Sequence, residues 1–240
     1  MGQLAYGVEP SRCKYELRLA RYVEMAKIIH AEQARQGGRT LRVVDLGCGI
    51  GRMIAYTGTD NLEWYGIDQN ESDLKSAAQK GPYELTHGAL EHLPYLDEQF
   101  DVGILSHVLE HVDDPEAVMA EARRVVKTGG ILIVAVPIFT RFSSWFRKHI
   151  VPIFDRMSGM DTRSHVWYPT VSEVKAVMKG FQVEDVCGFR LISASKVWSL
   201  ENSYTFYRWS TWFGRKWPHL TPDVTCVGRK LSENNSSEKA

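Results

Sequence analysis

The sequence has few cysteines and no excess of charge of either sign. Its four cysteines lie far apart and form no CxxC pair, a spacing that fits a reducing cytosol better than a disulfide framework or a zinc ribbon. The 29 basic and 29 acidic side chains cancel, and the pI is about 7.1. No overall basic field therefore argues for a nucleic-acid partner.

Targeting and membrane-spanning signals are also missing. The first ten residues, MGQLAYGVEP, do not place an apolar segment after a basic one, and position 6 is not the Ser or Thr of a myristoylation signal. The longest apolar run, ILIVAVPIF, is far shorter than the roughly 20 residues of a transmembrane helix. We therefore expect a soluble cytoplasmic protein.

Predicted strands and helices alternate over residues 41–137. The predicted strands are LRVVDLG, LEWYGID, YELTHG, FDVGILSH and ILIVAVP, in that order. An amphipathic helix over residues 12–36 precedes them, and the helix that begins at Asp114-Pro115 is expected to end at Gly129-Gly130. This alternation predicts an α/β fold with a doubly wound, Rossmann-like parallel sheet.

The stretch VVDLGCGIGR, residues 43–52, places three glycines between the first strand and its helix. Such a turn lets the backbone approach a nucleotide closely. The spacing is G-x-G-x-G rather than the G-x-G-x-x-G that seats a dinucleotide pyrophosphate. Asp45 ends the first strand, and Asp68 ends the second, where a carboxylate can accept ribose hydroxyls. These features favour an adenosine ligand without phosphates.

With these residues the chain resembles the class I S-adenosylmethionine-dependent methyltransferases, in particular the small-molecule group of ubiquinone-biosynthesis type (methyltransferase type 11). The resemblance covers roughly residues 40–137, including YGIDQN and GALEHLPYLDEQFDVGILSHVLEHVDDP. It implies seven strands in the order 3-2-1-4-5-7-6, with the last strand antiparallel. It also implies one domain over residues 1–230, and we expect the polar tail 231–240 to be disordered.

The resemblance further implies S-adenosyl-L-methionine as the cofactor. Asp45 would support the glycine loop and the cofactor's ammonium, while Asp68 would hold the ribose. Many relatives carry an acid where Ala89 stands, so an adenine amino contact would come from another residue. The predicted cofactor-binding residues are Asp45, Gly47, Cys48, Gly49, Gly51, Asp68, Gln69, Ala89, Leu90, Ser106 and His107.

Three histidines are candidates for removing a proton from an acceptor. His107 and His111 belong to HVLEH, which matches the H-x-x-E-H zinc signature, but that signature needs a long helix and this segment leaves a strand. We therefore expect no metal. His107, His111 and also His165 are predicted as catalytic bases for a hydroxyl acceptor. The alternative is that they only line the pocket or bond to the backbone.

Two aromatic segments, residues 138–168 and 192–220, are expected to form a cap over the reacting methyl group. They contain six of the seven tryptophans, at positions 145, 167, 198, 209, 212 and 217. Aromatic residues opposite basic ones, as in residues 141–157, are typical of a helix at a membrane surface. The cap could equally be an ordinary cover, so peripheral membrane contact stays open.

The sequence as a whole predicts methyl transfer to a small, apolar or amphiphilic acceptor, with oxygen favoured, by in-line displacement. Two alternatives remain. A subunit or scaffold could bind S-adenosylmethionine without catalysis, and an NAD-dependent oxidoreductase could use the same fold, although the chain has no Tyr-x-x-x-Lys pair. No nucleic acid is expected as a partner, because SHVL follows the fourth strand instead of the [DN]PP[YF] run of base-amine methyltransferases. The acceptor itself and the oligomeric state are not predicted.

Overall fold

Seven strands form one mixed sheet in the computed structural model, which describes residues 16–138, 167, 169–189 and 204–232. The strands are β1 (Leu41–Leu46), β2 (Leu62–Asp68), β3 (Tyr83–His87), β4 (Phe100–Ser106), β5 (Val126–Pro137), β6 (Phe181–Phe189) and β7 (Asp223–Lys230). Their order across the sheet is β3-β2-β1-β4-β5-β7-β6, and β7 is antiparallel to both of its neighbours. The predicted strand order and the antiparallel last strand are confirmed.

Helices cover both faces of the sheet. They are α1 (Glu16–Arg35), α2 (Arg52–Thr57), α3 (Glu71–Ala77), α4 (Pro115–Val125), α5 (Val171–Val177) and α6 (Tyr204–Lys216), followed by a short 3-10 helix (Pro218–Leu220). Two helices begin with a side-chain cap, and the first of them, α4, begins at Asp114-Pro115 as predicted. The Asp114 side chain accepts the Ala117 N–H at 2.9 Å ahead of Pro115, and Thr170 forms a capping box with Glu173.

The core lies on the two faces of the sheet as two clusters of buried apolar side chains. The α1 face contributes Met25 and Ile29, which are fully buried against strand residues such as Val43 and Ile133. Residues 131–136 of β5 are buried throughout, as a central strand covered on both faces requires. None of the described helices combines the length and apolarity that crossing a membrane requires.

The predicted end of α4 is wrong. The helix ends at Val125, and β5 begins at Val126 instead of after Gly129-Gly130. The two glycines lie inside β5, where the register against β4 shifts. A Cβ at Gly130 would lie 2.8 Å from the Asp101 carbonyl oxygen, so the glycine serves a close approach of two strands and does not terminate the helix.

The helix α6 occupies part of the second aromatic segment, for which the sequence indicated no element. Its aromatic, Thr and Gly residues are mediocre helix formers. It forms because it packs on β6, so closely that a Cβ at Gly214 would overlap the Gly188 carbonyl. Residues 139–166 and 190–203, including the 141–157 stretch predicted as an interfacial helix, lie outside the described residues.

Candidate active site

The loop between β1 and α2 has a backbone that favours glycine at three positions. Gly47, Gly49 and Gly51 have φ values of 75°, 49° and 72°, all in the left-handed region. The Gly47 and Cys48 N–H groups donate to the Ile67 carbonyl at 2.8 and 3.1 Å. The loop is thereby fixed to the end of β2.

The three glycines differ in what surrounds them. A Cβ at Gly47 would lie 2.5 Å from Val108 Cγ2, and one at Gly51 would lie 3.0 Å from the Ala77 Cα. A Cβ at Gly49 would meet no atom within 4 Å. The outer glycines therefore allow close packing of the protein on itself, whereas the middle one leaves the backbone open to a ligand.

The Asp68 carboxylate is bound directly to this loop. Its Oδ2 accepts the Gly49 N–H at 2.8 Å, and its Oδ1 accepts the Asn70 N–H at 2.9 Å. Asn70 in turn caps α3 through its side chain. The negative charge at the end of β2 is thus held against the middle of the glycine loop, with further lone pairs on both oxygens for a ligand.

A cavity of about 170 Å³ opens beside the loop, and α1, β1, α2 and the end of β4 contribute to its wall. Its lining residues are Tyr22, Asp45, Gly47, Cys48, Gly49, Ile50, Arg52, Met53 and Ser106. Five of them are among the predicted cofactor residues. Tyr22 was missed because its position on α1 is typical of a core residue, and it does stack on Tyr56 at 5.5 Å. Arg52 was missed although it directly follows the loop.

A larger cavity of about 410 Å³ lies at the opposite, amino-terminal edge of the parallel strands, next to the end of α1. Its buried Asp101 carboxylate is already paired with Arg39 at 2.7 Å and with Lys127 at 2.9 Å. The pairing lowers the pKa of Asp101 despite its burial. The buried acid of this cavity is therefore already paired with two basic side chains, and the cavity lies far from the glycine loop.

Asp45 is buried, with an exposed fraction of 2%, and lies in the wall of the smaller cavity. Burial raises the pKa of its carboxyl to about 7, although the hydrogen bond from Tyr83 lowers it, and the nearby charge of Asp68 adds to the increase. The Tyr83 hydroxyl donates to Asp45 Oδ2 at 3.3 Å from β3. The charge of this carboxylate therefore depends on its surroundings near neutral pH.

Ser106 and His107 stand at the end of β4, beside the cavity. The Ser106 hydroxyl is buried and has no hydrogen-bond partner among the described residues. The His107 Nε2 forms a 3.1 Å hydrogen bond with Asp223 Oδ1 at the beginning of β7, and its Nδ1 lies 3.3 Å from Glu110 Oε1. The antiparallel direction of β7 is what brings Asp223 to this edge.

The remaining predicted residues lie outside the cavity wall. Gln69 and Ala89 are exposed at the ends of β2 and β3, next to Asp68, whereas Leu90 is buried. His111 is exposed, and His165 lies outside the described residues. The structure thus brings the loop, both carboxylates, Ser106 and His107 to one sheet edge.

A model of the methyltransferase domain family matches residues 44–134. The chain is 29% identical over 147 residues to a ubiquinone biosynthesis O-methyltransferase of Maricaulis maris, an alignment that covers 58% of this chain and 57% of that protein. It is 26% identical over 165 residues to a demethylmenaquinone methyltransferase of Lysinibacillus sphaericus, covering 60% and 70% of the two chains. An S-adenosylmethionine-dependent methyltransferase of Thermotoga maritima has a similar fold, with a TM-score of 0.62, 20% identity and coverage of 90% and 91%. The match to the Maricaulis protein thus spans little more than half of that relative.

Proposed function

We propose that the chain is a class I S-adenosylmethionine-dependent methyltransferase, whose domain model it matches over residues 44–134, and that it transfers a methyl group from S-adenosylmethionine to a small acceptor. The observation that carries the proposal is the open backbone at Gly49, which donates to the Asp68 carboxylate and lines one cavity together with Asp45. A positively charged sulfur nucleoside with ribose hydroxyls and an ammonium group complements this arrangement.

The residues of the cavity fit this cofactor. Asp68 retains lone pairs for the ribose hydroxyls, the Asp45 carboxyl in the cavity wall is suited to the ammonium group, and the Ser106 hydroxyl has no hydrogen-bond partner among the described residues. Arg52 lines the same cavity and is suited to the methionine carboxylate. When bound, S-adenosylmethionine supplies an electrophilic methyl group on a good leaving group. The protein's contribution is then mainly to position the acceptor in line and to exclude water.

The proposal predicts that cofactor binding depends on pH through Asp45. The carboxyl has a pKa of about 7 in the free protein, and a bound ammonium favours its ionised form. Below pH 7 the site must therefore lose a proton to bind, so we expect the affinity to fall about tenfold per pH unit. Calorimetry with S-adenosylhomocysteine between pH 5.5 and 7.5 measures this slope.

Tyr83→Phe and a second ligand serve as controls for this prediction. Removing the Tyr83 hydrogen bond destabilises the ionised form of Asp45, so the midpoint of the binding curve should move to higher pH. Methylthioadenosine lacks the ammonium group and should show no such midpoint. A pH-independent affinity for S-adenosylhomocysteine would refute the assignment of Asp45 to the ammonium.

For the acceptor, we infer an apolar or amphiphilic quinone-type ring, with its oxygen as the favoured methylation site. Two named relatives support this class: a ubiquinone biosynthesis O-methyltransferase and a demethylmenaquinone methyltransferase. Exposed aromatic side chains on α6, which lies in a predicted cap segment, are suited to such a ring. His107, His111 and His165 remain the candidates for removing the proton of a hydroxyl acceptor.

A peripheral contact with an anionic membrane surface is part of this proposal, because an amphiphilic acceptor partitions into lipid. Trp209 and Trp212 are 47% and 54% exposed on α6, and Leu220 is 51% exposed just beyond it. The Lys216 ammonium lies 5.6 Å from the centroid of the Trp212 ring, which places a cation among the exposed aromatic side chains. Aromatic and basic side chains together are typical of surfaces that sit at a lipid interface.

We expect the double variant W209A/W212A to bind anionic phospholipid vesicles about tenfold more weakly than the unaltered chain, since two interfacial anchors are lost. Vesicle co-sedimentation at low and high salt is the measurement, and higher salt should also weaken binding. Leu96→Ala is the matched control, because Leu96 is a 78% exposed apolar side chain outside α6. Equal binding by all three proteins would rule out this surface.

The test of the function uses methyl-labelled S-adenosylmethionine. Mass spectrometry of cell extract incubated with the protein and this cofactor should reveal a labelled small molecule. Calorimetry with S-adenosylmethionine and with NAD separates a methyltransferase from an oxidoreductase. Binding of the first without any labelled product would favour the scaffold alternative, and binding of neither would refute the proposal.

A further inference from the structure

Four charged or titratable side chains meet at the end of β4, and we call them the His107 cluster: Arg21, His107, Glu110 and Asp223. The His107 Nε2 is 3.1 Å from Asp223 Oδ1, and its Nδ1 is 3.3 Å from Glu110 Oε1. Asp223 Oδ2 lies 3.5 Å from Arg21 Nη1 of α1. The cluster adjoins the cofactor cavity, since Ser106 and Tyr22, the neighbours of His107 and Arg21 in the chain, both line it.

The backbone of His107 is strained. Its φ is 58°, a left-handed conformation that costs a side-chain-bearing residue about 1–2 kcal/mol. The conformation is held by a 2.7 Å hydrogen bond from the His107 N–H to the Ala135 carbonyl of β5. Strain of this kind persists at sites where a side chain must point in one direction. Here it directs the imidazole between two buried carboxylates.

Glu110 is the second feature that packing does not explain. Its side chain is fully buried, and neither carboxylate oxygen has a hydrogen-bond partner among the described residues. A buried acid without a donor is costly, and an apolar residue of similar size would stabilise the fold better. Burial raises the pKa of Glu110, and the nearby His107 opposes that rise. The carboxylate is therefore stabilised chiefly when His107 carries a proton.

The two ring nitrogens of His107 have different roles in this geometry. Asp223 is positioned to accept the Nε2–H, which leaves a lone pair on Nδ1. The contact of Nδ1 with Glu110 is close but not aligned as a hydrogen bond. The side chain of His107 is 23% exposed whereas both acids are buried, so the imidazole is the part of the cluster that a substrate reaches most readily.

We propose that the acceptor is a hydroxyl compound and that His107 Nδ1 takes its proton, with Asp223 and Glu110 as positioning residues. This inference rests on the proposed function and makes its substrate class more specific. Asp223 fixes the tautomer and orientation of the ring, in the way a third group orients a catalytic base. Arg21 holds the other oxygen of Asp223, and Glu110 stabilises the charge that arises on the ring.

The step balances in atoms and charge. The bond between the acceptor oxygen and the methyl carbon forms as the sulfur–methyl bond breaks and its electron pair stays on sulfur. The O–H electron pair remains on the acceptor oxygen, and the proton moves to Nδ1. One positive charge is lost at the sulfur and one is gained at His107. With both acids ionised, the cluster changes from a net charge of −1 to zero.

Nitrogen NMR of histidine-labelled protein tests the cluster without an acceptor. We expect the Nε2–H tautomer for His107, with its signal assigned through His107→Gln. Asp223→Asn should reduce the share of this tautomer, because a neutral amide oxygen accepts the Nε2–H less strongly than a carboxylate does. An Nδ1–H tautomer in the unaltered protein, or an unchanged tautomer ratio in Asp223→Asn, would overturn the proposal.

Turnover supplies a second readout, with a water-soluble hydroquinone and labelled S-adenosylmethionine as probes. Asp223→Asn should lower kcat by about 100-fold, within the range for a general base, while the affinity for S-adenosylhomocysteine stays the same. Glu110→Gln should lower kcat as well, with KM for the hydroquinone unchanged, because the charge that arises on the ring loses its buried counter-charge. His219→Gln, an exposed site in the 3-10 helix, is the matched control.

The outcomes separate the two proposals. If the unaltered chain fails to bind the cofactor, the proposed function is wrong. If it binds and methylates the hydroquinone while Asp223→Asn retains full kcat, only the role of the cluster is wrong. If the hydroquinone is not methylated, the tautomer of His107 and its change in Asp223→Asn decide whether the cluster orients the ring as proposed.

Discussion

Asp68→Ala is expected to weaken the binding of S-adenosylmethionine and S-adenosylhomocysteine by about 100-fold or more. The carboxylate accepts the Gly49 N–H at 2.8 Å and the Asn70 N–H at 2.9 Å, and it is the proposed partner of both ribose hydroxyls. Hydrogen bonds to a charged group contribute about 1.5–3 kcal/mol each. The variant therefore loses direct ligand contacts and also the restraint on the middle of the glycine loop. Calorimetry with both ligands measures the loss.

Two further variants separate these contributions. Asp68→Asn keeps an oxygen that can accept one N–H, so it should retain part of the loop restraint and bind more tightly than Asp68→Ala. Asp60→Asn is the matched control, because Asp60 is an exposed acid just before β2, at the other end of the strand. Affinity that is unchanged in Asp68→Ala would show that the ribose is held elsewhere.

The sheet and the glycine loop could be predicted because their signals are local. Each buried strand is a short apolar run, and the residues that follow it are typical of a turn or of the start of a helix. The two acids are recognisable because each stands at the end of a strand. Asp45 is one residue before the end of β1, Asp68 is the last residue of β2, and the two strands pair in parallel. Parallel strands place such ends at the same edge, so the sequence predicted that the two acids would lie at one edge of the sheet.

The contacts that tune the site were not predictable, because they join residues distant in the sequence. Tyr83 reaches Asp45 across 38 positions, and Asp223 reaches His107 across 116. Neither pair leaves a periodic signal. The left-handed backbone conformation of His107 could not be predicted either, because a non-glycine residue type does not indicate a positive φ. What sequence cannot supply here is the pairing of side chains across the sheet edge.

The helix α6 and the end of α4 show a different limit. Local preference is weak in α6, and tertiary packing on β6 decides its conformation. The glycine pair Gly129-Gly130 does mark an unusual backbone position, but such a pair occurs both at helix ends and where two strands approach closely. The close approach of Gly130 to Asp101 selects the second. The position of a glycine pair is therefore informative, but the pair does not show by itself whether a helix ends there.

The second large effect concerns Gly49→Ala, which we expect to weaken cofactor binding by about 100-fold while the protein stays folded. No protein atom would lie within 4 Å of the new methyl group, so it enters only the space assigned to the ligand. The φ of 49° adds a strain of about 1–2 kcal/mol, which a domain of this size tolerates. Calorimetry and a thermal melt of the same sample measure the two effects separately.

Gly37→Ala is the control that isolates the effect on the ligand. Gly37 follows α1, has a φ of 74°, and would also place its Cβ where no atom lies within 4 Å. Both variants thus carry similar backbone strain and no clash, but only Gly49 faces the cavity. Their melting temperatures should fall by similar amounts, and only Gly49→Ala should lose the cofactor. If both variants bind equally well, the open backbone at Gly49 does not contact the ligand, and the cofactor site must be sought elsewhere along the sheet edge.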